Sequence, residues 1–140
     1  MKHYRFLLLF SEMVFELVEG NKMPLWEVEY TDEFLLWFEG LSDSEQEGIS
    51  RVVEKLGRDE PGLGRPLVDT IRGSRFANMK ELRPPENLRI LFAFDPRRTA
   101  ILLIGGNKTH QWIRWYEIII PVADDLYEEY LAELELEGLI

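Results

Sequence analysis

Between Arg75 and Gly106 the chain carries three apolar runs with almost nothing between them. The runs are Arg75–Arg83, Leu88–Asp95 and Thr99–Gly106, and the links are Pro84-Pro85-Glu86-Asn87 and Pro96-Arg97-Arg98. Turn-like links this short predict an antiparallel meander. Ile101–Ile104 is uninterruptedly apolar, which suits a central strand covered on both faces. The remaining elements therefore have to supply two covering layers. With 140 residues, 46% of them apolar, the chain has enough material for one such core.

The segment before the meander reads as a strand and a helical hairpin. In Leu25–Tyr30, apolar Trp26, Val28 and Tyr30 alternate with Glu27 and Glu29, the period of a half-buried strand. Thr31 stands where an N-cap belongs, with Asp32 and Glu33 in the first helical turn. The helix from Asp32 to about Glu39 gathers Phe34, Leu35, Trp37 and Phe38 largely on one side. Ser42-Asp43-Ser44-Glu45 is a capping-box pattern. It opens a second helix to about Leu56, with Ile49, Val52, Val53 and Leu56 at helical spacing and Gly57 as its stop. Residues 57–74 hold four glycines and two prolines, which predicts a long loop. After the meander, Gln111–Glu117 reads as a short helical segment. Pro121 reads as the first turn of a last helix, Val122–Leu136, with Val122, Leu126, Tyr130 and Leu134 as its apolar stripe. The order is β-α-α-β-β-β-α, an α+β fold.

Met23-Pro24 makes a clean domain start, so residues 23–140 are expected to be the domain. Residues 1–22 are expected to be an N-terminal extension from an early start codon. The apolar run Phe6–Phe10 is far short of the roughly 20 residues that span a bilayer, and no signal-peptide cleavage pattern follows it. The chain has no cysteine and only two histidines, His3 and His110. Disulfides and thiolate metal sites are thereby excluded, and a metal site or other cofactor is not expected. The cytoplasm is the expected compartment, with no membrane partner.

The formal charge of −10 hides a polarised chain. Residues 61–115 carry ten basic and four acidic groups, leaving six basic and 22 acidic elsewhere. The basic stretch Arg65–Arg114 is a polyanion-binding signature. Gly105-Gly106-Asn107-Lys108 is not a phosphate-binding loop, because it lacks the earlier glycine and a Ser/Thr after the lysine. What remains is a set of cations on and beside the sheet: Lys80, Arg83, Arg89 and Lys108. Alternation sends Asn78, Lys80 and Leu82 to one face and Met79, Glu81 and Arg83 to the other. These charges also suit an ordinary sheet surface, with Glu81 pairing one of them. As a site, they would hold a scissile RNA phosphate and stabilise the charge that develops when a 2′-hydroxyl attacks it, without a metal. Trp112, Trp115 and Tyr116 suit base stacking or packing against the sheet. His110 is an acid or base candidate by type, or a solvated loop residue.

Four segments together resemble the RelE/ParE superfamily, in its HigB-like, phage Gp49-like branch. They are Gly73-Ser74-Arg75, Asn78–Pro84 (NMKELRP), Leu88–Asp95 (LRILFAFD) and Leu102–Lys108 (LLIGGNK). The resemblance covers residues 24–136. It implies a RelE-like fold, a helical hairpin packed on a curved antiparallel sheet with a C-terminal helix. It implies the toxin of a type II toxin-antitoxin system, a ribosome-dependent mRNA endonuclease bound by an antitoxin of helix-turn-helix type. The family's basic active-site positions map onto Lys80, Arg83, Arg89 and Lys108, with Arg75 as a further candidate; Arg75, Asn78, Trp112 and Tyr116 stand as RNA contacts. Alternatives are a ParE-like inhibitor of DNA gyrase and a non-catalytic antitoxin-binding module. No histidine falls in the strands, so the general acid and base are unassigned.

Overall fold

The structure, a computed structural model, describes residues 4–5, 27–59, 67–107 and 112–140. The strands are β1 (Tyr4–Arg5), β2 (Val28–Tyr30), β3 (Val68–Thr70), β4 (Met79–Leu82), β5 (Leu88–Phe94) and β6 (Ala100–Asn107). The helices are α1 (Asp32–Glu39), α2 (Asp43–Asp59) and α3 (Trp112–Leu136). One sheet runs β1-β2-β6-β5-β4-β3. The meander β4-β5-β6 is antiparallel as expected, and the α+β, RelE-like architecture holds. The sheet is mixed, however, because β2 lies parallel to β6. The long stretch of chain between these two strands removes the constraint that short links impose on the meander.

The sheet is covered on both faces. On one side α1 and α2 bury Phe34, Phe38, Ile49, Val53 and Leu56 against Leu82, Ile90, Phe92 and Leu102. On the other, α3 buries Ala123, Tyr127, Tyr130 and Leu134 against Met79, Leu91, Ala93 and Ile101. Alternate residues of the central strands thus serve two cores, and Ile101–Leu103 is fully buried. The hairpin's local signals are used as read. The Thr31 hydroxyl accepts from Phe34 N at 3.0 Å. Ser42 and Glu45 bond reciprocally, at 2.9 and 3.2 Å.

A bulge interrupts the β5–β6 ladder. Leu91 pairs with Ile104 and Phe92 with Leu102, leaving Leu103 as the extra residue. The Thr31 hydroxyl donates to the Leu103 carbonyl at 2.6 Å, so the cap of α1 also pins the bulge. Beyond it, Gly105 and Gly106 seat two tryptophans. A Cβ on Gly105 would lie 2.2 Å from the Trp37 ring, and one on Gly106 would lie 2.6 Å from Trp115 Nε1. Only a residue without a side chain lets these rings lie on the strand.

Several expectations need correction. Helix α2 continues through Gly57 to Asp59, with Gly57 buried; a glycine ends a helix when it turns left-handed, and Gly57 does not. The loop 57–74 contains β3, too short for a periodic signal and fixed by pairing with β4. Strand β4 starts at Met79, not Arg75. Before it, the Ser74 hydroxyl and Arg75 N–H both donate to the Asp124 carboxylate on α3, and these bonds compete with strand pairing. Helix α3 is continuous, with Pro121 inside it. Proline removes one helical hydrogen bond, but apolar contacts with the sheet on both sides of Pro121 hold the two halves in line. The stripe is Ala123, Tyr127, Tyr130 and Leu134, and Val122 points away. No helix among the described residues is long and apolar enough to cross a membrane.

Candidate active site

The α3 face of the sheet carries a charged cluster beside its apolar core. The period of two assigns its members. Met79 packs on the α3 side and Leu82 on the hairpin side, so Glu81 faces α3 and Lys80 the hairpin. Arg89 sits between Leu88 and Ile90, both packed on the hairpin side, and therefore also faces α3. Arg83 lies just past β4, held by its N–H to the Leu67 carbonyl at 2.8 Å.

The Glu81 carboxylate is the centre, and its residue is only 1% exposed. Arg83 Nε donates to Glu81 Oε1 at 2.8 Å, while Arg83 Nη2 reaches Asp69 at 3.0 Å. Arg89 Nε stands 3.6 Å from the same Glu81 oxygen, and Arg89 Nη1 donates to the Leu88 carbonyl at 2.6 Å. The Tyr116 hydroxyl, from the first half of α3, donates to Glu81 Oε2. Burying a lone carboxylate would cost several kcal/mol, and these donors offset that. The hydrogen bond to Glu81 raises the Arg83 pKa above its ordinary value. Burial, then Glu81, raise that of Tyr116, so its hydroxyl keeps its proton.

Glu81, Arg83 and Tyr116 of this cluster line a cleft of about 730 Å³ between α3 and the β3–β4 edge of the sheet. Arg72, Glu81, Arg83, Ile113, Tyr116 and Ile120 are among its lining residues. Asp69 and Glu117 line it too, so the Arg72 and Arg83 guanidiniums share the cleft with three carboxylates and an apolar wall.

The structure brings Arg83, Arg89 and Tyr116 together. Lys80 is on the opposite face. Arg75 pairs with Asp125 and Glu128 of α3, both at 3.1 Å. The Asn78 amide donates to the Phe94 carbonyl at 2.8 Å and to the Tyr127 hydroxyl at 3.1 Å. Trp112 opens α3, and Trp115 covers Gly106 with its ring 4.9 Å from that of Tyr116. Arg65, Lys108 and His110 lie outside the described residues, as do residues 1–22 apart from Tyr4–Arg5. Sequence reasoning gave Glu81 no part in the site beyond pairing a cation. Its shared face with Arg83 was readable from the alternation; the tyrosine arriving from α3 was not.

A second cluster of the same chemistry lies elsewhere on this face. Glu29, 3% exposed, accepts from Arg97 Nη2 at 2.8 Å and from the Tyr130 hydroxyl. Asp95 accepts from Arg97 Nε at 2.7 Å and from the backbone N–H groups of Arg97 and Thr99 at 2.8 and 3.0 Å. This network ties β2, the β5–β6 turn and α3 together, and sequence reasoning missed it.

A family model described as Phage derived protein Gp49-like (DUF891) matches residues 36–128, a span that includes Glu81, Arg83, Arg89 and Tyr116. A Mycobacterium tuberculosis protein named "Putative toxin HigB2" is 48% identical over 103 residues, 71% of this chain and 51% of that protein. Another from the same organism, "Putative toxin HigB3", is 48% identical over 97 residues, 69% of this chain and 85% of that protein. The chain thus spans about half the length of HigB2.

Proposed function

The chain belongs to the phage Gp49-like, HigB-like family, and from that premise we propose that it is the toxin of a type II toxin-antitoxin system and cleaves mRNA on the ribosome, in the cytoplasm. One observation carries the reading. Arg83 and Arg89 converge with Tyr116 on one buried carboxylate, and that carboxylate, Arg83 and Tyr116 line a cleft. Guanidinium groups suit a phosphodiester because they are permanently charged and present several donors in a fixed plane. Attack of a ribose 2′-oxygen forms a new bond to phosphorus while the bond to the 5′-oxygen breaks. Negative charge grows on the phosphoryl oxygens in between, and fixed cations lower that barrier. Tyr116 and the apolar wall of the cleft would hold an unstacked base. The expected partner is a co-encoded antitoxin of helix-turn-helix type.

The test is induced expression in a bacterium, with the 5′ ends of cellular mRNA mapped by primer extension. Growth arrest and new ends within translated messages are expected, both relieved by the neighbouring antitoxin gene. The Arg83→Ala/Arg89→Ala variant should cleave at least about a hundredfold more slowly. Intact mRNA with DNA-damage signalling would replace this reading with gyrase inhibition. A stable antitoxin complex with no growth phenotype would replace it with a binding module.

A further inference from the structure

We propose that Glu81 is a positioning residue: its buried carboxylate fixes the Arg83 guanidinium and the Tyr116 hydroxyl, which line the cleft, and the Arg89 guanidinium beside them. The proposal rests on the endoribonuclease reading. Glu81 is 1% exposed and both its oxygens are taken, Oε1 by Arg83 and Oε2 by Tyr116. No phosphate can reach it without displacing these donors, and its charge would repel one. It acts through its partners.

The partners come from different elements. Arg83 follows β4, Arg89 is on β5 and Tyr116 is on α3, so no single element fixes their relative places. Arg89 shows how far the arrangement depends on the carboxylate. Its side chain is 13% exposed, and its Nε, fully buried, makes no hydrogen bond. The Glu81 oxygen at 3.6 Å is the charge that balances it. Two guanidiniums this close would repel each other without an anion between them. Binding energy is spent once, in folding, and the cleft then meets its ligand with donors already aimed. Burial first, and then the bond to Glu81, raise the Tyr116 pKa.

The experiment compares wild type, Glu81→Gln and Glu81→Asp in the full chain. Gln keeps an acceptor and loses the charge; Asp keeps the charge and withdraws it by one methylene. Ribosome-bound mRNA is the substrate, and a short single-stranded RNA oligonucleotide is the binding probe. Both variants should lose kcat by about a hundredfold, the scale of a misplaced reacting group, with KM and oligonucleotide affinity unchanged or tighter. In parallel, 13C-tyrosine NMR, with Tyr116→Phe to assign the signal, should show Tyr116 ionising at lower pH in Glu81→Gln than in wild type. Wild-type kcat in either folded variant, or an unmoved Tyr116 titration, overturns the proposal. If Glu81→Gln does not fold, Glu81→Asp decides. If wild type cleaves no RNA, the endoribonuclease reading fails, while the titration still decides whether Glu81 holds Tyr116.

Discussion

The clusters around Glu29 and Glu81 are built from the same parts. Each has a buried glutamate on the α3 face of the sheet, an arginine from a nearby turn and a tyrosine from α3. The two tyrosines are 14 residues apart, close to four helical turns. The surroundings differ. Tyr130 is fully buried and Arg97 is 22% exposed, with Asp95 as a second sealed carboxylate. Arg83 is 32% exposed, and it lines an open cleft with Tyr116. The same residues make a rivet where they are enclosed and a candidate site where one side is open. Residue type and pairing are therefore shared by the two clusters; access is what differs.

That contrast can be broken. The largest effect should fall on the open cluster: Arg83→Ala with Arg89→Ala lowers cleavage about a hundredfold or more, whereas Arg97→Ala leaves cleavage per folded molecule near wild type. The reverse result would make Glu29 the working centre. The next effect is on stability. Arg97→Ala strands two buried carboxylates and should cost about 3 kcal/mol, lowering the melting temperature by roughly 10 °C. Arg83→Ala should cost less, about 1 kcal/mol, since Glu81 keeps Tyr116 and Arg89 beside it and the pair with Asp69 is partly solvated. Calorimetry or a melt followed by circular dichroism separates them. Gly106→Ala should cost about 2 kcal/mol, because Trp115 must move.

The pH dependence is smaller over the usual range. Burial raises Tyr116, Tyr127 and Tyr130 above the ordinary value, with Glu81 and Glu29 adding to the first and last. The folded state therefore holds protons that the unfolded chain releases above about pH 10. Their contribution is full below that pH and is lost as pH rises further. Urea midpoints between pH 9 and 12 should fall, and Tyr130→Phe should flatten the fall. The least effect belongs to Arg75→Ala: its solvent-exposed pairs with Asp125 and Glu128 should leave the melting curve almost unmoved.

Much of this was legible in the sequence where the signal is local. The capping box at Ser42, the N-cap at Thr31, the meander links and the two-faced run Ile101–Ile104 all depend on neighbours within a few residues. The faces of Lys80, Glu81 and Arg83 follow from the period of two. What was not legible depends on distant pairing. Strand β3 exists because β4 is beside it, and residues 75–78 leave the sheet because Asp124, on α3, takes Ser74 and Arg75. Pro121 does not start a helix because both halves of α3 rest on the sheet. Tyr116 and Tyr130 gain their meaning from glutamates 35 and 101 residues away.

Length is not negotiable everywhere along this chain. After the Leu103 bulge, Gly105 and Gly106 must meet Trp37 and Trp115 on opposite faces. Losing one residue from β6 ahead of them would turn both glycines over at once. With one residue lost, Trp37 would meet Gly106 while Trp115 would meet the Asn107 side chain; with one gained, Trp115 would meet Gly105 while Trp37 would meet the Ile104 side chain. Point substitutions can drift along β6, but a deletion there unseats Trp115 and an insertion unseats Trp37, each in a single event.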